Sequence, residues 1–192
     1  DSKYARLLAL SVSSIILIYV TDLWLVFDSS GGYQFQFNYA FLPSLGVYLK
    51  GAVNGISLMF LLLNCFLVPV CILASWESIS FREKEYYSLF LMMEAFVNLV
   101  FISTDRLVFY LGLEMVLIPM FMIVGIWGSR ERKIRASYFL FLYTLLGSVP
   151  FLIGILYLAK YHGTTDMDVL ASHTFTQTEE LLLWLAFFSS FA

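Results

Sequence analysis

Five stretches of this chain are each long and apolar enough to cross a lipid bilayer, and that decides most of what it can fold into. They run Leu7–Phe27, Gly55–Trp76, Tyr86–Ser103, Leu107–Trp127 and Ala136–Ala159. A helix needs roughly 17–25 residues to span the hydrocarbon. Backbone amides and carbonyls find no water there, so each segment must bond its own, which makes helices of them all. Composition agrees: 60% of the residues are hydrophobic and 13% charged, where a soluble domain carries about 25% charged. The first span is too long and too weakly basic in front for a cleaved signal peptide. The expected fold class is all-α and polytopic, a single incomplete transmembrane domain over 1–192. A sixth apolar run, from Leu181 to Ala192, is about half a span. Its last carbonyls would need partners, so the expectation is a continuation of the polypeptide, or a second polypeptide, after Ala192.

Charge sets the orientation. If the spans alternate, one face carries Lys3, Arg6, Arg82, Lys84, Arg130, Arg132, Lys133 and Arg135, and the other only Lys50, Arg106 and Lys160. The positive-inside rule places the first face toward the matrix or cytoplasm. The basic segment SRERKIR is seven residues between two spans, a topology anchor rather than a nucleic-acid site.

Several chemistries are excluded by spacing. Cys65 and Cys71 are six apart on one helix, with no CxxC pair for zinc or an iron–sulfur cluster. His162 and His173 fall in a loop, too far apart for a helical metal pair. No Walker or GxGxxG phosphate loop is present. Met92, Met93, Met115, Met120 and Met122 read as gap fillers. The expected metal and cofactor sites are therefore none.

What remains is a set of polar groups inside the spans. Glu114 lies within Leu107–Trp127, with Pro119 five residues on. A carboxyl at bilayer depth costs several kcal/mol unless protonated, paired or facing water, so it marks function. Pro119 removes a rung of the helix and is expected to break it near the acid. Glu94 lies in the preceding span, with Asn98 one turn later. The tight turn at Thr104–Arg106 makes these two spans neighbours and puts both acids at similar depth. The structural reading of Glu94 is a carboxyl bonded to Asn98 or to a neighbouring helix. Tyr143, Thr144, Gly147, Ser148, Pro150 and Gly154 form a small, polar, kinkable stripe, read first as close helix packing.

The run FYLGLEMVLIPMFMIVGIWGSRERKIRASYFLFLYTLLGSVPFL resembles the antiporter-like subunits of respiratory NADH:ubiquinone oxidoreductase (complex I), of the subunit 4 type. The likeness extends from Asn54 through LLLWLAFFSSFA, whereas the first fifty residues match in hydropathy alone. It is closer to mitochondrial versions, from plants or algae, than to bacterial ones. The resemblance implies part of a helical bundle with inverted repeats, related to cation/proton antiporters. It implies a proton-translocating role in which Glu114 stands at the family's channel Glu and Glu94 at a more variable acid. The lysine paired with that Glu would follow soon after Ala192, and the family's first helix would precede the first span here. It implies other complex I membrane-arm subunits as partners and no nucleic acid. NADH, FMN, iron–sulfur clusters and ubiquinone would belong to other subunits. The location implied is the mitochondrial inner membrane, with a bacterial cytoplasmic membrane as the alternative.

Two other readings stay open at this point. A subunit of a cation/proton antiporter or membrane-bound hydrogenase would share Glu114 and the fold, and a purely structural scaffold would carry a satisfied acid. Copurifying flavin and iron–sulfur proteins would separate the first from the complex I reading. For topology, side-specific cysteine labelling should find the Ser129–Arg135 segment on the matrix or cytoplasmic face and the Tyr161–Glu180 segment opposite. Labelling of both from one side would overturn the arrangement.

Overall fold

In chain order the elements are α1 (Ser2–Val26), β1 (Gln34–Leu42), β2 (Val47–Val53), α2 (Gly55–Ala74), α3 (Glu83–Ile102), α4 (Arg106–Trp127), α5 (Lys133–His162), α6 (Met167–Ala171) and α7 (Gln177–Ser190). This computed structural model describes residues 2–28, 31–42, 47–129, 131–172 and 174–190. Arg130, His173 and the Phe191–Ala192 end lie outside the described residues, and with them the expected continuation. α1 to α5 are each long and apolar enough to cross a membrane. Even α2, the most enclosed, has only 33% of its apolar window buried. Hydrocarbon is as apolar as leucine, so these faces need no protein cover.

Packing follows the chain. α1, α2 and α3 pack on one another, α4 on α3, α5 on α4, and α7 on α5. Val20, Leu58, Leu61 and Cys65 fill the α1–α2 contact near one end. Ala9, Val68, Ile72, Tyr86 and Tyr87 fill the three-helix contact near the other. At that second end the Arg6 guanidinium makes two 2.7 Å contacts with the Glu83 carboxylate and donates to the Ile79 carbonyl at 3.1 Å. A forked pair of this kind fixes orientation as well as distance. The Trp127 indole donates to the Phe81 carbonyl at 2.7 Å, and the Lys133 ammonium donates to the Ile126 carbonyl at the open end of α4.

The helices outrun the apolar stretches that announce them. α5 starts at Lys133 and ends at His162, 30 residues in all. At 1.5 Å per residue that is about 45 Å, longer than the ~30 Å hydrocarbon layer. The extra turns carry the basic and polar residues that sit at headgroup depth.

The all-α expectation needs one addition. β1 and β2 pair antiparallel as a two-stranded hairpin, with Phe37 opposite Gly51, Asn38 opposite Lys50 and Tyr39 opposite Leu49. It lies on the less basic face and is tied into the connections there. The Thr104 amide donates to the Lys50 carbonyl at 3.2 Å, Met167 N to the Thr104 carbonyl at 3.0 Å, and Arg106 N to the Thr165 carbonyl at 3.0 Å. Asp105, 3% exposed, caps α4 by accepting from Leu107 N at 2.9 Å and Val108 N at 3.2 Å. Its other oxygen accepts from the Thr165 hydroxyl. Lys50 Nζ meets the Asp166 carboxylate at 2.7 Å.

Burial pushes the Asp166 carboxyl up, but the Lys50 ammonium and the Asp168 and Val169 amides outweigh it and hold it below the ordinary value. Its contribution to stability is then complete above the ordinary carboxylate range near 4 and is lost as pH falls through the lower folded-state value. Asp166→Asn should raise hydrogen exchange at the Thr104 and Met167 amides about fivefold, for a loss of about 1 kcal/mol. The acid-dependent opening of this face should vanish in the variant. Exchange rates unchanged between the two proteins would show that Lys50–Asp166 does not hold the hairpin down.

Candidate functional site

Glu114 is half-buried on α4. One turn earlier on the same helix, Tyr110 is 6% exposed, with its ring edge-on to Phe151 of α5 at 6.1 Å. The Tyr110 phenol lies within electrostatic reach of both the Glu114 carboxyl and the Ser148 hydroxyl. Carboxyl, phenol and serine thus lie near one another at the α4–α5 contact. Each of the two hydroxyls can donate and accept. Ser148 itself donates to the Leu145 carbonyl at 3.0 Å, and Thr144 to the Leu140 carbonyl at 2.7 Å.

α4 runs through Pro119 without ending, so the expected break is a missing rung. The carbonyl deprived of its partner belongs to Met115, four residues earlier and next to the acid. Buried packing around Pro119, which is under 2% exposed, keeps the helix straight enough to continue.

Glu94 belongs to a different interface. It is 1% exposed and faces α2, where its polar neighbour is the Cys65 thiol. Neither of its carboxyl oxygens has a hydrogen-bond partner among the described residues. The expected bond to Asn98 is not made. Asn98 instead accepts from Asn64 Nδ2 at 2.9 Å and donates to Cys65 Sγ at 3.5 Å. The two acids share neighbouring helices but face away from each other, Glu94 toward α2 and Glu114 toward α5.

The glycines of the α5 stripe serve close packing. A methyl group on Gly147 would come within 2.8 Å of the Ser189 carbonyl oxygen, and one on Gly154 within 3.1 Å of the Ala186 side chain, both on α7. Asn64 and Tyr110 escaped the sequence reading, and Cys65 entered it only as a cysteine without a metal-binding partner. Asn64 had a usable signal, a lone amide in the apolar run LLLNCFL; nothing distinguished Tyr110 from its many aromatic neighbours.

Residues 103–192 match the family described as NADH:quinone oxidoreductase/Mrp antiporter, transmembrane region. The chain is 45% identical to NADH-ubiquinone oxidoreductase chain 4 of Arabidopsis thaliana over 191 residues, 99% of this chain and 39% of that protein. The similarity thus runs through the first fifty residues as well, beyond mere hydropathy. Among solved structures, respiratory complex I from Thermus thermophilus with bound NADH contains a chain with TM-score 0.80 and 26% identity, covering 100% of this chain and 43% of that one. The Mrp complex from Dietzia sp. DQ12-45-1b contains one with TM-score 0.83 and 13% identity, covering 98% of this chain and 21% of that one. The second likeness is one of fold. The chain spans about two fifths of the length of its curated relatives and is similar to NADH-ubiquinone oxidoreductase chain 4 along nearly all of its own length, and its residues 103–192 belong to the NADH:quinone oxidoreductase/Mrp antiporter family.

Proposed function

We propose that this chain is part of a proton-translocating membrane-arm subunit of NADH:ubiquinone oxidoreductase, multi-pass in the mitochondrial inner membrane. The observation that carries this reading is the 45% identity to chain 4 along 99% of the sequence. The antiporter alternative rests on a likeness of fold at 13% identity and is the weaker of the two. On this reading the chain moves protons and carries no electrons. Its two cysteines are too few for the four thiolates of an iron–sulfur cluster. NADH, FMN, the clusters and ubiquinone are held by other subunits, and other membrane-arm subunits are its neighbours.

The proton path runs through Glu114. Its position beside the Tyr110 phenol, one residue before the carbonyl that Pro119 leaves without a rung, supports a carboxyl that can take and release a proton. Tyr110 and Ser148 would carry that proton toward α5. The lysine that the resemblance pairs with Glu114 lies in the part of the family's length that this chain does not span. An ammonium brought toward the carboxylate, or withdrawn from it, changes the proton affinity of both groups. That is how a change driven by quinone reduction elsewhere in the complex would load and release protons.

Glu114→Gln keeps the shape and removes the titratable group. In membranes carrying the assembled complex it should lower proton pumping and the coupled quinone reduction about tenfold or more, equivalent to roughly 1.4 kcal/mol. The complex should still assemble. Tyr110→Phe should produce a smaller loss of the same kind. Pumping at the unmodified rate in Glu114→Gln would remove Glu114 from the path, and failure to assemble would favour the scaffold reading.

A further inference from the structure

The contact between α2 and α3 holds polar groups that the Glu114 path does not use. Glu94 is 1% exposed, and its two carboxyl oxygens have no hydrogen-bond partner among the described residues. Cys65 opposite is wholly buried. Pro69, inside α2, has no amide to offer the Cys65 carbonyl four residues before it. Asn64 and Asn98 brace the two helices beside them, amide to amide at 2.9 Å, and Asn98 also touches Cys65 Sγ at 3.5 Å. Asn64 further reaches the Glu94 carbonyl at 3.4 Å. The Asn98 amide is thus committed to α2 and leaves the carboxyl to the cysteine.

We infer that Glu94 and Cys65 form a second proton-holding site on the α2–α3 contact, separate from the Glu114–Tyr110–Ser148 set, with Asn64 and Asn98 as positioning residues. The inference rests on the proposed translocating function and extends it to a different pair of helices. The chemistry is a matter of donors and acceptors. A protonated Glu94 has an O–H to give, and the Cys65 sulfur is the acceptor beside it. An ionised Glu94 would need donors, and those of the seam are engaged elsewhere among the described residues: Asn64 Nδ2 with Asn98 Oδ1 and the Glu94 carbonyl, Asn98 Nδ2 with Cys65 Sγ, and the thiol with Asn98 Oδ1 at 3.7 Å. The Asn64–Asn98 bond keeps the sulfur in register with the carboxyl. Loss of either amide would let the helices shift and take the acid off its acceptor. The proton held is the whole ligand, and no bond besides O–H is made or broken.

Infrared difference spectra of the assembled complex in membranes, in light and heavy water, report this directly. A protonated-carboxyl C=O band that shifts on deuteration should disappear in Glu94→Gln and persist in Glu114→Gln. In Cys65→Ser the band should move to lower frequency, because a hydroxyl is a stronger hydrogen-bond partner than a thiol. Asn98→Leu should broaden or split the band, an effect that a purely structural role would not produce in an assembled complex. Persistence of the band in Glu94→Gln would overturn the inference. If Glu94→Gln does not assemble, a band unmoved by Cys65→Ser overturns it instead. Unimpaired pumping in Glu114→Gln would strike the proposed function and leave this site standing or falling on its own spectrum.

Discussion

The carboxylate of Asp105 is the interaction on which the rest of the architecture hangs. It closes the first turn of α4 through two backbone amides and takes the Thr165 hydroxyl with its other oxygen. Around it, backbone bonds join Thr104 to the hairpin at Lys50 and to the start of α6 at Met167. Three otherwise separate connections are thereby fixed at one height. Within a bilayer the helices have no hydrophobic drive to settle their relative depth. Their depth is set where the chain leaves the hydrocarbon, and here that is the Asp105 knot. The level of Glu94, Glu114 and Ser148 is counted from it along rigid helices.

That arrangement separates two tasks along one pair of helices. α3 and α4 lie side by side, yet Glu94 looks back to α2 and Glu114 forward to α5. Adjacent acids that shared one pocket would titrate as a pair. Acids on opposite sides of a helix pair can act in turn, each answering to its own neighbours. The three prolines inside helices, Pro69, Pro119 and Pro150, fall in three of the four helices that line these two contacts, α2, α4 and α5. Each removes a rung close to the polar groups, so backbone carbonyls join side chains as acceptors where side chains are few.

Much of this was legible in the residues, and the boundary of legibility is physical. Apolar length announced α1 to α5, because the bilayer demands a fixed length of apolar helix. It could not mark where the helices end, since Lys133 and His162 continue α5 into the headgroup layer as readily as apolar residues do. The strand pair was missed although the sequence signals it, with polar and apolar residues alternating in QFQFNY and the turn-forming residues PSLG following at 43–46. Its stability comes from contacts with Thr104 and Asp166, distant in sequence. Glu114 and Glu94 stood out as charges in apolar runs, but which way each faces depends on helix rotation, and two acids on weakly amphipathic helices leave rotation open. Pro119 was visible, whereas its effect depended on the packing that keeps α4 whole.

The strap across the less basic face also constrains the order of assembly. Lys50 and Asp166 are 116 residues apart, and α2 to α5 all cross the membrane between them. A nascent chain emerging N-terminus first places the hairpin and the Asp105 turn at that surface long before Thr165 and Asp166 arrive. In the interval one oxygen of Asp105 is left to water. The Thr104–Lys50 bond can close before α5 is threaded, whereas the bonds to Thr165, Asp166 and Met167 close only after it. Insertion of α5 acts as the step that converts a group of membrane-spanning helices into one with a fixed vertical register.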